Sequence, residues 1–99
     1  MNRLPAVVTL RAEAESREAA QWYEERSQGL GAAFLEIVEK TLVDISENPF
    51  QFPVVYRDTR RALLERFPYG IFFRIQPGRI RVIAIMRQSR NPRRWQTRR

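Results

Sequence analysis

The spacing of apolar positions changes along the chain, and the changes divide it into elements. Ala6-Val7-Val8-Thr9-Leu10 is a short run rich in β-branched residues and predicts a first strand. Composition then shifts to Ala, Glu, Arg and Gln, which favour a helix from about Ala12 to Ser27. Ala12, Ala19, Trp22 and Tyr23 form its inward side, and Glu15, Glu18 and Glu25 its solvated side. Gly29-Leu30-Gly31 interrupts the pattern. A second helix is predicted from about Ala32 to Glu47, where Phe34, Leu35, Val38, Thr41, Leu42 and Ile45 recur three and four apart as one apolar stripe. Asn48-Pro49 ends it, because proline lacks the helical donor and restricts the residue before it.

After a loop at Phe50 to Pro53, three strands are predicted over about Asp58 to Phe67, Gly70 to Gln76 and Arg79 to Met86. Pro77-Gly78 suits a tight turn and joins the last two as an antiparallel hairpin. The expected fold is α+β: an N-terminal strand, then a two-helix antiparallel hairpin packed on a mainly antiparallel sheet of about four strands (β-α-α-β-β-β), with a short basic C-terminal tail. At 99 residues the chain reads as a single domain, 1–99. In the last strand Arg79, Arg81 and Arg87 share one parity, so they are expected to project together away from the helices, joined by Arg61 and Arg74 from neighbouring strands. Trp22, Phe34 and Phe73 are expected in the core, and Tyr69 as a packing residue where its strand begins. The tail carries little apolar surface, so it is expected to be dispensable for folding.

Charge divides the chain in two. From Gln51 to Arg99 there are 13 arginines against Asp58 and Glu65, whereas Met1 to Phe50 holds five bases against nine acids, so the overall +7 hides a basic half near +11. Lys40 is the single lysine. Arginine grips phosphate or carboxylate with a planar fork of donors, so this half is suited to a polyanion or an acidic partner. The chain contains no Cys and no His, which excludes a Cys/His zinc site, a thiol nucleophile and a Ser-His-Asp hydrolase. It has no Gly-rich phosphate loop, and no cofactor is expected. No apolar stretch approaches the length needed to span a bilayer, and Met1 to Pro5 lacks the apolar core of a signal peptide. The expectation is a cytoplasmic protein with no membrane partner.

The run Trp22-Tyr23-Glu24, Gly29-Leu30-Gly31, Phe34, Val38, Ile45, Pro49, Phe52-Pro53, Phe67 to Phe73, Ile80 to Ile85, Arg90-Asn91-Pro92 and Trp95 resembles the ParE branch of the ParE/RelE toxin superfamily over nearly the whole chain. The resemblance implies the toxin of a type II toxin–antitoxin module, restrained by a ParD-like or RelB-like antitoxin in a hetero-oligomer. ParE-like toxins inhibit DNA gyrase, whereas RelE-like toxins cut mRNA on the ribosome. The gyrase reading places target contacts on Arg61, Arg79, Arg81, Arg87, Arg90, Arg93, Arg94 and Trp95, with no catalytic residue. The alternative, a metal-independent endoribonuclease, would use Arg61, Tyr69, Arg87 and Arg90. Three positions disfavour it: Gly70 and Gln88 stand where such nucleases place arginines, and Trp95 where a tyrosine hydroxyl is wanted. Arginine is also a poor general base. Arg87 in turn replaces a His common in the ParE branch, which fixes a positive charge there. A non-toxic nucleic-acid-binding domain fits less well, since the first helix is acidic and no helix-turn-helix pattern is present.

Overall fold

The computed structural model describes residues 3–98, so Arg99 of the basic tail lies outside the described residues. Strand β1 covers Ala6–Val8, and Thr9 ends it by capping the next helix: its hydroxyl accepts the Ala12 amide at 3.2 Å. Helix α1 therefore runs Leu10–Arg26, starting two residues before the compositional change. Helix α2 covers Leu30–Glu47. Only the first glycine of Gly29-Leu30-Gly31 breaks the chain. Gly29 takes φ 87°, the left-handed region glycine enters without a Cβ clash. Gly31 lies inside α2, buried against α1, where a Cβ would stand 2.5 Å from the Ala20 carbonyl oxygen. Glu24 accepts amide hydrogens from Gly29 and Gly31, each at 2.9 Å, satisfying donors at the start of α2. Those donors, Gly29 first, hold its carboxyl below the ordinary glutamate range.

A 3-10 turn at Pro49–Gln51 leads to strands β2 (Val54–Tyr56), β3 (Thr59–Leu63), β4 (Tyr69–Gln76) and β5 (Arg79–Arg87). The sheet has five strands in the order β1-β5-β4-β3-β2, parallel between β1 and β5 and antiparallel elsewhere. The α+β class and the element order are those expected. The additional strand is β2, a three-residue edge strand too short to register as alternation. Strand β3 stops at Leu63, four residues early, because Arg66 adopts φ 68° in the turn back to β4.

One irregularity governs which side chains face which layer. Phe72 pairs with Ala84 but Phe73 pairs with Val82, leaving Ile83 as an extra residue in β5. Before this bulge, Ile80 and Val82 face the helices; after it, Ile85 does, while Ile83, Ala84 and Met86 face the other way. The bulge therefore turns Arg87 toward the helix layer. Arg61, Arg74, Arg79 and Arg81 remain on the opposite face, so the expected set of five is split.

Each face of the sheet has its own core. The helix side packs Ala12, Ala19, Ala20 and Tyr23 of α1 and Phe34, Val38 and Ile45 of α2 on Ile71, Phe73, Ile80, Val82 and Ile85. Leu35, expected in the apolar stripe of α2, is 42% exposed instead. On the other face the chain returns through a short helix, α3 (Arg93–Gln96), which seats Trp95 on Phe72 with ring centroids 4.4 Å apart and its edge against Tyr56. Trp95 is 6% exposed. The tail is thus part of the core, contrary to its expected dispensability: a single indole covers the sheet where α1 and α2 cannot reach. Trp95→Ala should lower stability by about 3–5 kcal/mol in urea denaturation. A loss below about 1 kcal/mol would show that the tail is held elsewhere.

Candidate functional site

Strand β5 outruns the strand beside it. Strand β1 pairs only with residues Ile80 to Val82, and the Thr9 amide closes that ladder on the Val82 carbonyl at 3.1 Å. Among the described residues no strand neighbours the edge of β5 beyond Val82, and its backbone groups need other partners. Two side chains supply them. Glu15 of α1 accepts the Ile85 amide at 3.1 Å, and Arg98 donates to the Ile83 carbonyl at 3.0 Å. The two also form a bidentate ion pair, Nη1 to Oε1 at 2.9 Å and Nη2 to Oε2 at 2.8 Å, with side chains 20% and 7% exposed. Glu15 was expected on the solvated face of α1. Helical periodicity could not reveal that its partner arrives from 83 residues away.

The remainder of this edge opens into a cleft of about 510 Å³ between α1, the end of β5 and the tail. Glu15, Glu18, Trp22, Tyr69, Arg87, Arg90 and Arg94 line it. The bulge at Ile83 is what brings Arg87 here. Its guanidinium carbon lies 5.4 Å from the Trp22 ring centroid and 5.6 Å from that of Tyr69, within cation–π reach of both. Among the described residues no carboxylate lies within ion-pair distance of Arg87, Arg90 or Arg94. Because Arg98 occupies Glu15, Glu18 is, among the described residues lining the cleft, the acid left to oppose three arginines.

Trp22 was expected in the core and is 39% exposed, with the Arg26 guanidinium 3.5 Å from its ring centroid. The core position falls to its neighbour Tyr23, which is buried against Phe34, Phe67 and Tyr69. Burial raises the Tyr23 hydroxyl above its ordinary pKa, as does Tyr69, while Arg87 opposes the shift.

The predicted site residues separate into three places. Tyr69, Arg87, Arg90 and Arg94 meet at the cleft. Arg61 lies on the opposite face, its stem passing over Gly70, where a Cβ would stand 3.1 Å from Arg61 Cγ. Gly70 thus provides space for Arg61. Arg79 sits exposed at the hairpin end, bonded to Gln76 at 2.9 Å, and Arg81 is half-buried beside α1's first turn. Arg93 is exposed on α3, and Trp95 is beneath it in the core. Sequence reasoning missed Glu18 and Trp22 as cleft residues; their four-residue spacing on α1 was the available signal. No group of three or more acids among the described residues is placed to hold a metal ion, and none of the described helices is long and apolar enough to cross a membrane.

The topology defines a small α+β protein in which a strand and two helices precede a run of antiparallel strands. The chain is similar to a structure titled "Chromosomal ParDE TA system from P. aeruginosa", with a TM-score of 0.75 and 22% identity over 86% of this chain and 96% of that one. The family described as "ParE toxin of type II toxin-antitoxin system, parDE" matches residues 6–92, and the chain belongs to it. No curated protein matches the sequence.

If the Glu15–Arg98 pair closes the β5 edge, removing either charge leaves the other buried without a counter-ion. Glu15→Gln should lower stability by about 3 kcal/mol, measured by urea denaturation. The exposed pair Arg17–Glu13 serves as a control, and Glu13→Gln should change stability by no more than about 0.5 kcal/mol. Equal effects from the two substitutions would remove the special role of Glu15.

Proposed function

We propose that this ParE-family toxin arrests growth by inhibiting DNA gyrase and that the arginine cleft at the β5 edge is its principal target contact. The observation that carries this reading is the gathering of Arg87, Arg90 and Arg94 around an exposed Trp22. One aromatic anchor with a few arginines is the composition that dominates binding energy at protein interfaces. It also suits a nucleoprotein target, where arginine forks meet phosphate.

The nuclease alternative draws less support. The hydroxyl of Tyr69 belongs to a ring packed on Phe34 and Tyr23, and Arg61 lies across the sheet from Arg87 and Arg90. Cutting RNA requires a base and a charge-stabilising group around one phosphate; Tyr69, Arg87 and Arg90 share the cleft, but the Tyr69 ring is packed into the core and arginine is a poor base, so that set lacks a good proton acceptor.

A cognate antitoxin of the ParD or RelB kind completes the module as a toxin–antitoxin hetero-oligomer. A groove between α1 and α2, walled by Val8, Val38, Leu42 and the half-exposed Leu35, offers it apolar contact. Acidic residues of the antitoxin would meet the basic half of the toxin and speed association.

Purified protein should block gyrase supercoiling, and Arg87→Ala combined with Arg90→Ala should raise the concentration for half-inhibition by at least about tenfold, equivalent to roughly 1.4 kcal/mol. Normal supercoiling together with codon-specific mRNA cuts on ribosomes would replace this reading with the nuclease.

A further inference from the structure

We propose that the cleft is a binding site for single-stranded DNA, in which Arg87, Arg90 and Arg94 take successive phosphates and the Trp22 ring stacks a base. This deepens the gyrase reading and rests on it for the biological source of the strand. The site's own chemistry points to the ligand class. Arg87 is half-buried, yet it is held by the Trp22 and Tyr69 rings rather than by a carboxylate. Ring quadrupoles restrain a guanidinium without neutralising it, so its donors remain available to an anion. Arg90 and Arg94 stand exposed on the same cleft, one in the turn after β5 and the other on α3.

Glu15 would cancel part of this charge, but its carboxylate is engaged by Arg98 and by the Ile85 amide. A volume of about 510 Å³ falls within the range of small-ligand clefts. That is the scale of a base with its phosphate, whereas a duplex would have to lie across the mouth of the cleft. Arg26 lies against the indole of Trp22, and the residue still keeps 39% of its surface exposed along the cleft wall. A partly exposed indole beside arginines is the kind of surface that binds single strands without reading sequence, a base exchanging with a guanidinium on the ring, because every base has a face to stack and every nucleotide a phosphate. An acidic peptide would satisfy the arginines but make no use of the exposed part of the Trp22 indole.

The test uses the full chain and fluorescein-labelled oligonucleotides of twelve thymidines, followed by anisotropy without gyrase. A duplex of equal length, an RNA strand of equal length and a polyglutamate peptide are the competitors. The single DNA strand should bind at least about tenfold more tightly than the duplex or the peptide, a difference of roughly 1.4 kcal/mol. Three phosphate contacts predict a log–log salt slope of about −2. Trp22→Ala should weaken binding about tenfold and Trp22→Phe much less, as loss and retention of a stacking ring require. Glu18→Gln should strengthen binding by about two- to threefold, a gain that no folding defect can produce. Glu13→Gln, the same charge change on α1 outside the cleft, should leave binding unchanged.

Equal affinity for duplex or polyglutamate, tighter binding of RNA, or unaltered binding by Trp22→Ala and Glu18→Gln would each overturn the proposal. Supercoiling assays on the same preparations separate the two readings. Gyrase inhibition without strand binding sinks this inference alone, and strand binding without gyrase inhibition sinks only the gyrase reading.

Discussion

Strand β5 has nine residues and its parallel neighbour β1 has three, and the mismatch is resolved by one buried ion pair. Glu15 and Arg98 act as the missing length of strand, one accepting the Ile85 amide and the other donating to the Ile83 carbonyl. A buried pair is weak evidence for stability, because desolvating two charges offsets much of their attraction. Its consequence is geometric. It ties the last described residue of the tail to the first half of α1 across 83 positions and thereby fixes the tail's path over the sheet. Trp95 then packs onto Phe72, and the second core closes.

The same pair shapes the electrostatics of the cleft. Arg98 removes Glu15 from competition, while the bulge at Ile83 swings Arg87 out of the Arg79–Arg81 face and toward Trp22 and Tyr69. An unbulged β5 would have left Arg87 on the tail-side face with Arg61, Arg74, Arg79 and Arg81. An unpaired Glu15 would have placed a second carboxylate opposite three guanidinium groups. Fold and charge are therefore set at one short stretch of backbone, residues 83 to 87. The basic excess of the second half explains why arginines are plentiful there; the bulge explains why these particular ones converge.

How much of this was legible from the sequence follows from the range of each cause. The helices, the hairpin at Pro77-Gly78 and the α+β class rest on local period and turn chemistry, so they could be read directly. The bulge could not, since Ile80 to Met86 is apolar at nearly every position and carries no alternation in which an extra residue would show. Trp22 and Tyr23 are adjacent aromatics near the edge of one helical stripe; which enters the core depended on Phe67 and Tyr69 waiting opposite Tyr23. Trp95 offered an indole large enough to be core, but only its contact with Phe72 and Tyr56 decides it. Of the site arginines, Arg87, Arg90 and Arg94 come together, whereas Arg61, Arg79 and Arg81 were grouped with Arg87 by a parity that the bulge breaks.

Hydrogen exchange at the Ile85 amide tests the central claim most directly. This amide has no strand partner and is bonded to the Glu15 carboxylate, so the account predicts strong protection in the wild-type protein. Arg98→Ala should free the carboxylate to move and cost that amide its protection by an order of magnitude or more, roughly 1.4 kcal/mol, while the amides paired between β3 and β4 keep theirs. An Ile85 amide that exchanges freely in the wild type, or that stays equally protected without Arg98, would contradict the account.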